Sequence, residues 1–424
     1  MAAARTIAAI PYTPRLARRL TATLFVVQSL ASASLIANAA VNPIIGARLG
    51  GTDALAGLPG TMLLLGAAVA SYPAGQLMQR VGRRNGLALG FGLGALGMLL
   101  GALGINTQSL LVFLAGLVLI GCARGATDQS RYAAADAETP ARRGRAISTV
   151  VFAGTIGAVG GPAMVAPLAG VAERLGFDPY SGSMVGGALL FGMAALLLMA
   201  LLRPDPLAIA RGFAAAAPPP IVRAIPQHAA WQVLLANPGV RAAVAAMTLG
   251  QAVMVMVMTV TSLHMYHNHH GLNEVSLVIA AHTFGMFGVS FITGALAARI
   301  GQRATIVIGC ALLALGCLAA PLSPQLVPLA LTLFLVGVGW NLCYIAGSSL
   351  LTETVAAEER GAAQGAAEVA VNLASAVGSL GSGFVMAALG FGALCIGGAL
   401  MCIVPALLAV RGVRGALALP RSGQ

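Results

Sequence analysis

Residues 86–105, GLALGFGLGALGMLLGALGI, carry no charged side chain, and eleven further stretches of similar length and character recur along the chain. A hydrocarbon core of roughly 30 Å takes about 20 helical residues to cross, and within it each segment must satisfy its own backbone hydrogen bonds. A chain built this way folds as membrane-spanning helices. The composition agrees: 58% of the 424 residues are hydrophobic and 8% are charged, with a mean hydropathy of +0.89. A water-soluble globule of that make-up would lack the charged shell it needs.

Twelve segments can be marked off by charge, proline or glycine clusters: 19–46, 54–79, 86–105, 108–134, 145–171, 182–203, 239–264, 273–299, 303–321, 324–350, 361–388 and 391–411. Between the sixth and seventh the chain changes character. The stretch RPDPLAIARGFAAAAPPPIVRAIPQHAAWQVLLANPGVR is proline-rich and reads as a linker, with AAWQVLLA lying along the membrane surface and Trp231 at headgroup depth. The expected organisation is a six-helix bundle over 1–203, a central cytoplasmic linker over 204–238 and a second six-helix bundle over 239–424.

The two halves echo each other. Gly75, Arg80, Gly82 and Arg84 reappear 219 positions later as Gly294, Arg299, Gly301 and Arg303, while Asp136, Arg143 and Gly144 reappear 217 positions later as Glu353, Arg360 and Gly361. The fold class this predicts is all-α and integral to the membrane, with twelve transmembrane helices in two pseudo-symmetric six-helix bundles. Duplicated halves place a ligand site at their interface near the membrane midplane and rock around it.

All 24 basic residues are arginine, set against 12 acids, for a net charge of +12. In a soluble protein that excess points to nucleic acid. Here the arginines sit in short loops between apolar runs, where they fix orientation, so no nucleic-acid partner is expected. With a cytoplasmic N-terminus, only Arg48 and Arg174 fall in external loops and Arg124 within a span. The chain is thus expected in a bacterial inner membrane as a multi-pass monomer with both termini cytoplasmic, without cofactor or metal centre. Cys122, Cys310, Cys317, Cys343, Cys395 and Cys402 lie inside apolar runs with no CxxC pair and read as packing residues. No cleavable signal peptide is expected, because the first apolar run is long enough to span and stay.

Gly75, Leu77, Arg80, Gly82, Arg83 and Arg84, between spans two and three, resemble the signature of the major facilitator superfamily, departing at Gln79, where that family has Asp. The resemblance covers nearly the whole chain. It implies transport by alternating access, with charge clusters bracing the cytoplasmic gate: Arg80, Arg83 and Arg84 with Asp136 in one half, and Arg299 and Arg303 with Glu353 in the other. In the family, the Asp faces the partly positive start of span eleven; Gln79 supplies a hydrogen bond without the charge and implies a looser gate. A purely topological role for the arginines is the plainer alternative. In span five, Gly157, Gly161 and Pro162 resemble the core of the drug/proton antiporter motif, with Val165 and Ala166 where that motif has glycine. Small residues at this spacing also serve close helix packing.

An ionisable group at membrane depth costs at least about 2.5 kcal/mol on insertion scales and marks function by default. Arg124 and Asp128, four apart on one face of span four, can pair. Glu368 lies up to two turns into span eleven, and His282 lies at a similar depth into span eight from the other side. These four are the candidate translocation and coupling residues, each with a local structural partner as its alternative. Gln28, Asn38, Asn42, Gln251 and Asn341 are candidate cavity-lining residues, with interhelical hydrogen bonds as the alternative for at least half of them. The tract HMYHNHHG gathers His264, His267, His269 and His270 at the external end of span seven. No Cys or carboxylate cluster completes a tetrahedral site there, and it reads as a solvated loop or pH-sensitive lid.

These features favour a secondary transporter of a small organic molecule, coupled to protons, with export preferred to uptake. There is no GxxxxGK[ST] stretch for nucleotide-driven transport. A proton-coupled uptake symporter and a non-transporting sensor on the same scaffold stay open. No membrane-depth HExxH, Ser-His-Asp or aspartyl pair supports an enzyme.

Overall fold

A computed structural model describes residues 12–139, 142–215, 237–355 and 360–417, in which every regular element is helical. The surface segment expected around Trp231 lies outside the described residues. Among the described residues ten helices are long and apolar enough to cross a membrane, and the pair Leu272–Phe287 and Ile292–Ile300, bent by 41°, makes an eleventh crossing. The stretch Ala366–Arg411 holds two, because Gly390 departs from helical dihedrals at φ 81°. Twelve spans result, in the places the apolar pattern predicts.

Spans one to six are Pro14–Gly50, Leu58–Val81, Arg83–Asn106, Leu110–Thr127 continued by Ser130–Asp136, Arg143–Arg174 and Ser181–Leu201. A short helix, Pro206–Ala215, opens the linker. Spans seven to ten are Pro238–His267, Leu272–Phe287 continued by Ser290–Ile300, Gln302–Ala319 and Leu326–Thr354; span eleven runs from Arg360 to Gly390 and span twelve from there through Leu417. Prolines 43, 73, 162 and 167 lie inside spans. Helix interiors in a membrane tolerate them because neighbouring helices and local adjustments satisfy the freed backbone groups.

The duplication is visible in the backbone. Gly82 precedes span three at φ 90°, ψ 162°, and Gly301 precedes span nine at φ 87°, ψ 156°. Both values lie in the region that glycine adopts without steric penalty. Arg143 and Arg360 open spans five and eleven, the same place in each half.

The chain groups into two compact units. The first takes in the described residues up to Ile36, Leu65–Gly161 and those from Val171 to the start of the linker; the second takes in Ala37–Leu64, Pro162–Gly170 and the rest. In the first, span three packs on spans four and six, with Phe91 and Phe191 rings 5.7 Å apart. Glycines let spans three and four approach closely: a methyl carbon on Gly97 would lie 2.8 Å from the Gly116 carbonyl oxygen. In the second, spans nine and ten meet the same way, at Gly309 and Gly339. Leu111, Leu189, Leu196 and Leu331 remain largely exposed, as befits a surface whose solvent is lipid.

Candidate functional site

The first cluster lies where span two turns into span three. Gly82 has no side chain with which to cap span three, and Asp205 of the linker supplies the missing acceptors. Its Oδ1 accepts from the Arg83 amide at 3.1 Å and its Oδ2 from the Arg84 amide at 3.0 Å. Oδ1 also accepts from the Leu207 amide at 2.8 Å, so one carboxylate starts two helices. Arg83 donates through Nε to Asp136 at 2.8 Å, with its side chain 9% exposed. Arg84 donates to the Met199 carbonyl, and Arg211 to the Gln79 carbonyl at 2.9 Å. Arg80 is exposed, and Gly75 has open space where a side chain would go. Of the three arginines set against Asp136 in the sequence, Arg83 is the one that pairs with it.

The second half repeats this corner without the ion pair. Among the described residues neither Arg299 nor Arg303 pairs with Glu353, which corrects the expectation for this half. The 219-residue offset makes Gln302, not an arginine, the counterpart of Arg83, and Gln302 donates to Glu353 at 3.0 Å. Arg299 is exposed; the Arg303 guanidinium lies against Gly239 at the start of span seven.

The second cluster lies in the second unit, on spans seven, eight, ten and eleven. Trp340 donates from Nε1 to the Gln251 side chain at 2.6 Å, and its ring stacks on Tyr344 at 5.2 Å and 23°. Tyr344 donates from its hydroxyl to Glu368 at 2.7 Å, and the Phe287 ring meets Trp340 edge-on at 6.0 Å. Two residues singled out in the sequence, Gln251 and Glu368, are thus tied into one network by two that were not. The spacing of Trp340 and Tyr344, one helical turn apart, was the available signal. Nothing in the sequence ties Tyr344 to Glu368.

Asn341 takes another role than lining a cavity. It is 2% exposed and clamps the break in span eight: its amide donates to the Met286 carbonyl at 2.6 Å and to the Ser290 hydroxyl at 2.9 Å, while its oxygen accepts from Thr293. His282 is also buried, its Nδ1–H donating to the Leu333 carbonyl at 2.8 Å, with no bond to the Glu368 network. Arg124 and Asp128 do approach, at 3.9 Å and both about half exposed, where span four breaks after Thr127. Asn38 and Asn42 are buried on span one, and Gln28 is half-buried. In span five, Gly157 lies flat against Ser32 and Ala33 of span one, and Gly161 and Pro162 are buried.

A third feature is a seam in the second unit. A methyl carbon on Gly57, at the start of span two, would overlap the Ser379 carbonyl oxygen of span eleven; one on Gly383 would overlap that of Ala54. The Ser379 hydroxyl donates to the Gly57 carbonyl at 2.9 Å, and the Thr61 hydroxyl to the Ala376 carbonyl at 3.3 Å. Beside it His267 lies 3.5 Å from Asp53. His264 stacks on Phe391, and His269 adopts φ 61° where span seven ends. His270 is held between Glu274 at 2.8 Å and the Pro324 carbonyl at 2.7 Å.

The profile of the Major Facilitator Superfamily matches residues 23–273 and 246–421. An uncharacterised MFS-type transporter, YdeG of Bacillus subtilis, is 36% identical over 401 residues, covering 92% of each chain. The riboflavin transporter RfnT of Brucella anthropi is 30% identical over 355 residues, covering 82% of this chain and 84% of its own. Among solved structures, a bacterial homologue of the human lysosomal transporter Spinster aligns over 96% of this chain and 98% of its own with a TM-score of 0.74 at 14% identity, a likeness of fold.

Proposed function

The chain belongs to the Major Facilitator Superfamily, a family of transporters rather than enzymes, and from that premise we propose that it exports a small organic molecule in exchange for protons by alternating access. In this reading it sits in the inner membrane with both termini cytoplasmic, and the halves 1–203 and 239–424 rock about a shared site. The observation that carries the coupling is the Glu368 carboxylate, placed within a span with one oxygen held by Tyr344. A carboxylate at that depth is costly to keep unless it binds something. A proton and a substrate group competing for its other oxygen give exchange, because each then favours a different conformation. The Gly57–Ser379 seam supports a state with the external side shut.

The test uses proteoliposomes with a pH dye inside and riboflavin as the first probe, since RfnT is named for it. An imposed pH gradient is expected to drive flux. Glu368→Gln is expected to keep substrate exchange at equal pH on both sides and lose the response to the gradient. A Glu368→Gln protein that still follows the gradient refutes the coupling role. Binding without flux refutes transport and leaves a sensor.

A further inference from the structure

A cavity of about 550 Å³ opens in the first unit at the N-terminal end of span one. Proteins hold small ligands in spaces of about 300–1,000 Å³. One wall is a stripe of span one, Arg18, Ala22 and Phe25, whose spacing of four and seven positions puts all three on one helix face. The facing wall is Glu138 and Arg142, from the loop between spans four and five, with Ala146 of span five beyond them. Glu138 is 9% exposed, and its carboxylate accepts from the Tyr12 hydroxyl at 2.9 Å, so it is held in the wall. Arg142 is exposed and lies beside the Tyr12 hydroxyl, with further N–H donors to offer. Arg18 is exposed and makes no hydrogen bond or ion pair among the described residues. Two guanidinium groups against one fixed carboxylate leave a surplus of one positive charge. Phe25 lies two turns beyond Arg18, about 10 Å further along the helix, and with Ala22 and Ala146 makes an apolar floor.

We propose that this cavity binds a phosphodiester, its phosphate held by Arg18 and Arg142 and its apolar body over Phe25. A phosphate presents oxygens in several directions, so guanidinium forks arriving from two walls can each engage it, whereas a flat carboxylate suits a single fork. The one negative charge of a diester matches the surplus of one, and the second charge of a monoester would meet Glu138. Arginines that only orient a span need neither an enclosed space nor a carboxylate set among them. Two sources supply this chemistry, a phospholipid headgroup reaching in from the bilayer and a soluble phosphodiester. The inference is independent of the Glu368 network.

Calorimetric titration of the purified full-length protein in detergent, corrected for empty micelles, tests this with three probes. Dihexanoyl-phosphatidylglycerol stands for the lipid source and diphenyl phosphate for the soluble one. Diphenylacetate keeps the two rings and replaces the phosphate by a carboxylate. Saturable binding of a phosphodiester is expected, with diphenylacetate at least about tenfold weaker, and the tighter of the two phosphodiesters identifies the source. Arg18→Gln and Arg142→Gln are each expected to weaken binding about tenfold or more. Arg241→Gln, which removes the same charge from the start of span seven, should stay within about threefold. Glu138→Gln keeps an acceptor for Tyr12 and removes the opposing charge, so it should tighten binding about threefold or more, a gain that misfolding cannot imitate. The proposal is overturned if neither phosphodiester binds saturably, if diphenylacetate binds as tightly, if either Arg18→Gln or Arg142→Gln leaves binding undiminished, or if Glu138→Gln brings no gain.

Discussion

Replacing Asp205 tests how the corner between spans two and three is built. Its carboxylate accepts from three backbone amides, those of Arg83, Arg84 and Leu207, at 3.1, 3.0 and 2.8 Å. Loss of an N-terminal cap costs about 1 kcal/mol and up to about 2, and a hydrogen bond to a charged group contributes about 1.5–3. Asp205 is half-buried and serves two helix starts, so Asp205→Ala is expected to destabilise the corner by about 2–3 kcal/mol. At about 1.4 kcal/mol per tenfold, the Arg83 and Arg84 amides should exchange with solvent deuterium roughly 30- to 150-fold faster, read by mass spectrometry on peptides spanning 81–88. Asp205→Asn is expected to be nearly as damaging, because the two span-three amides bind different oxygens and one of them becomes an NH₂ facing a donor. Asp205→Ser should restore the Leu207 contact but not reach span three. If Asp205→Asn exchanges like the unaltered protein, or if Asp205→Ala speeds residues 206–215 alone, the shared-cap reasoning is wrong.

The two corners should differ in strength. Asp136→Asn leaves a nearly buried guanidinium without its counter-charge and should cost about 3 kcal/mol, whereas Glu353→Gln alters an exposed hydrogen bond to a neutral amide and should cost under about 1; equal losses of thermal stability in detergent would contradict this. Asn341→Ala strips three bonds from the break in span eight and should cost about 2–4 kcal/mol, seen as a lowered unfolding midpoint; an unchanged midpoint would mean that the bend holds itself. Gly57→Ala cannot fit against the Ser379 carbonyl, so cross-linking by a short bifunctional thiol reagent between cysteines placed at 53 and 267, which approach each other beside the seam, should fall at least about tenfold; undiminished cross-linking would show that the seam has slack.

The twelve spans were legible because a bilayer imposes one length on every crossing, and the apolar runs between charge clusters record it. Gly82 and Gly301 were legible as a repeat, and their matching positive φ shows the same turn made twice. The partners across these corners were not legible to the same degree. Asp205 lies more than 120 residues from the span-three amides it caps, in a proline-rich stretch that reads as linker. The Glu353 expectation followed arginines by position, whereas the facing side chain is set by which residue takes the place next to the glycine, and there the second half has Gln302. Glu368 and Gln251 stood out as rare polar groups in apolar runs; Trp340 and Tyr344 did not, because an aromatic in a membrane helix usually signals only burial. Asn341 stood out for the right chemistry while its task stayed open between a cavity wall and a bond between helices, since a polar side chain looks alike in sequence whether it faces a void or mends a broken helix.

The joint between Gly57 and Ser379 sets main chain against main chain, bridged by the short hydroxyl side chains of Ser379 and Thr61, with no long side chain that can swivel out of the way. Such a joint has no half-measures: it yields by nothing until the two helices separate by at least the thickness of a methyl group, and then it is wholly undone. In the exporter reading proposed above, a closure of that kind leaks little at rest and gives no graded response, so cargoes of different bulk would meet the same all-or-none threshold.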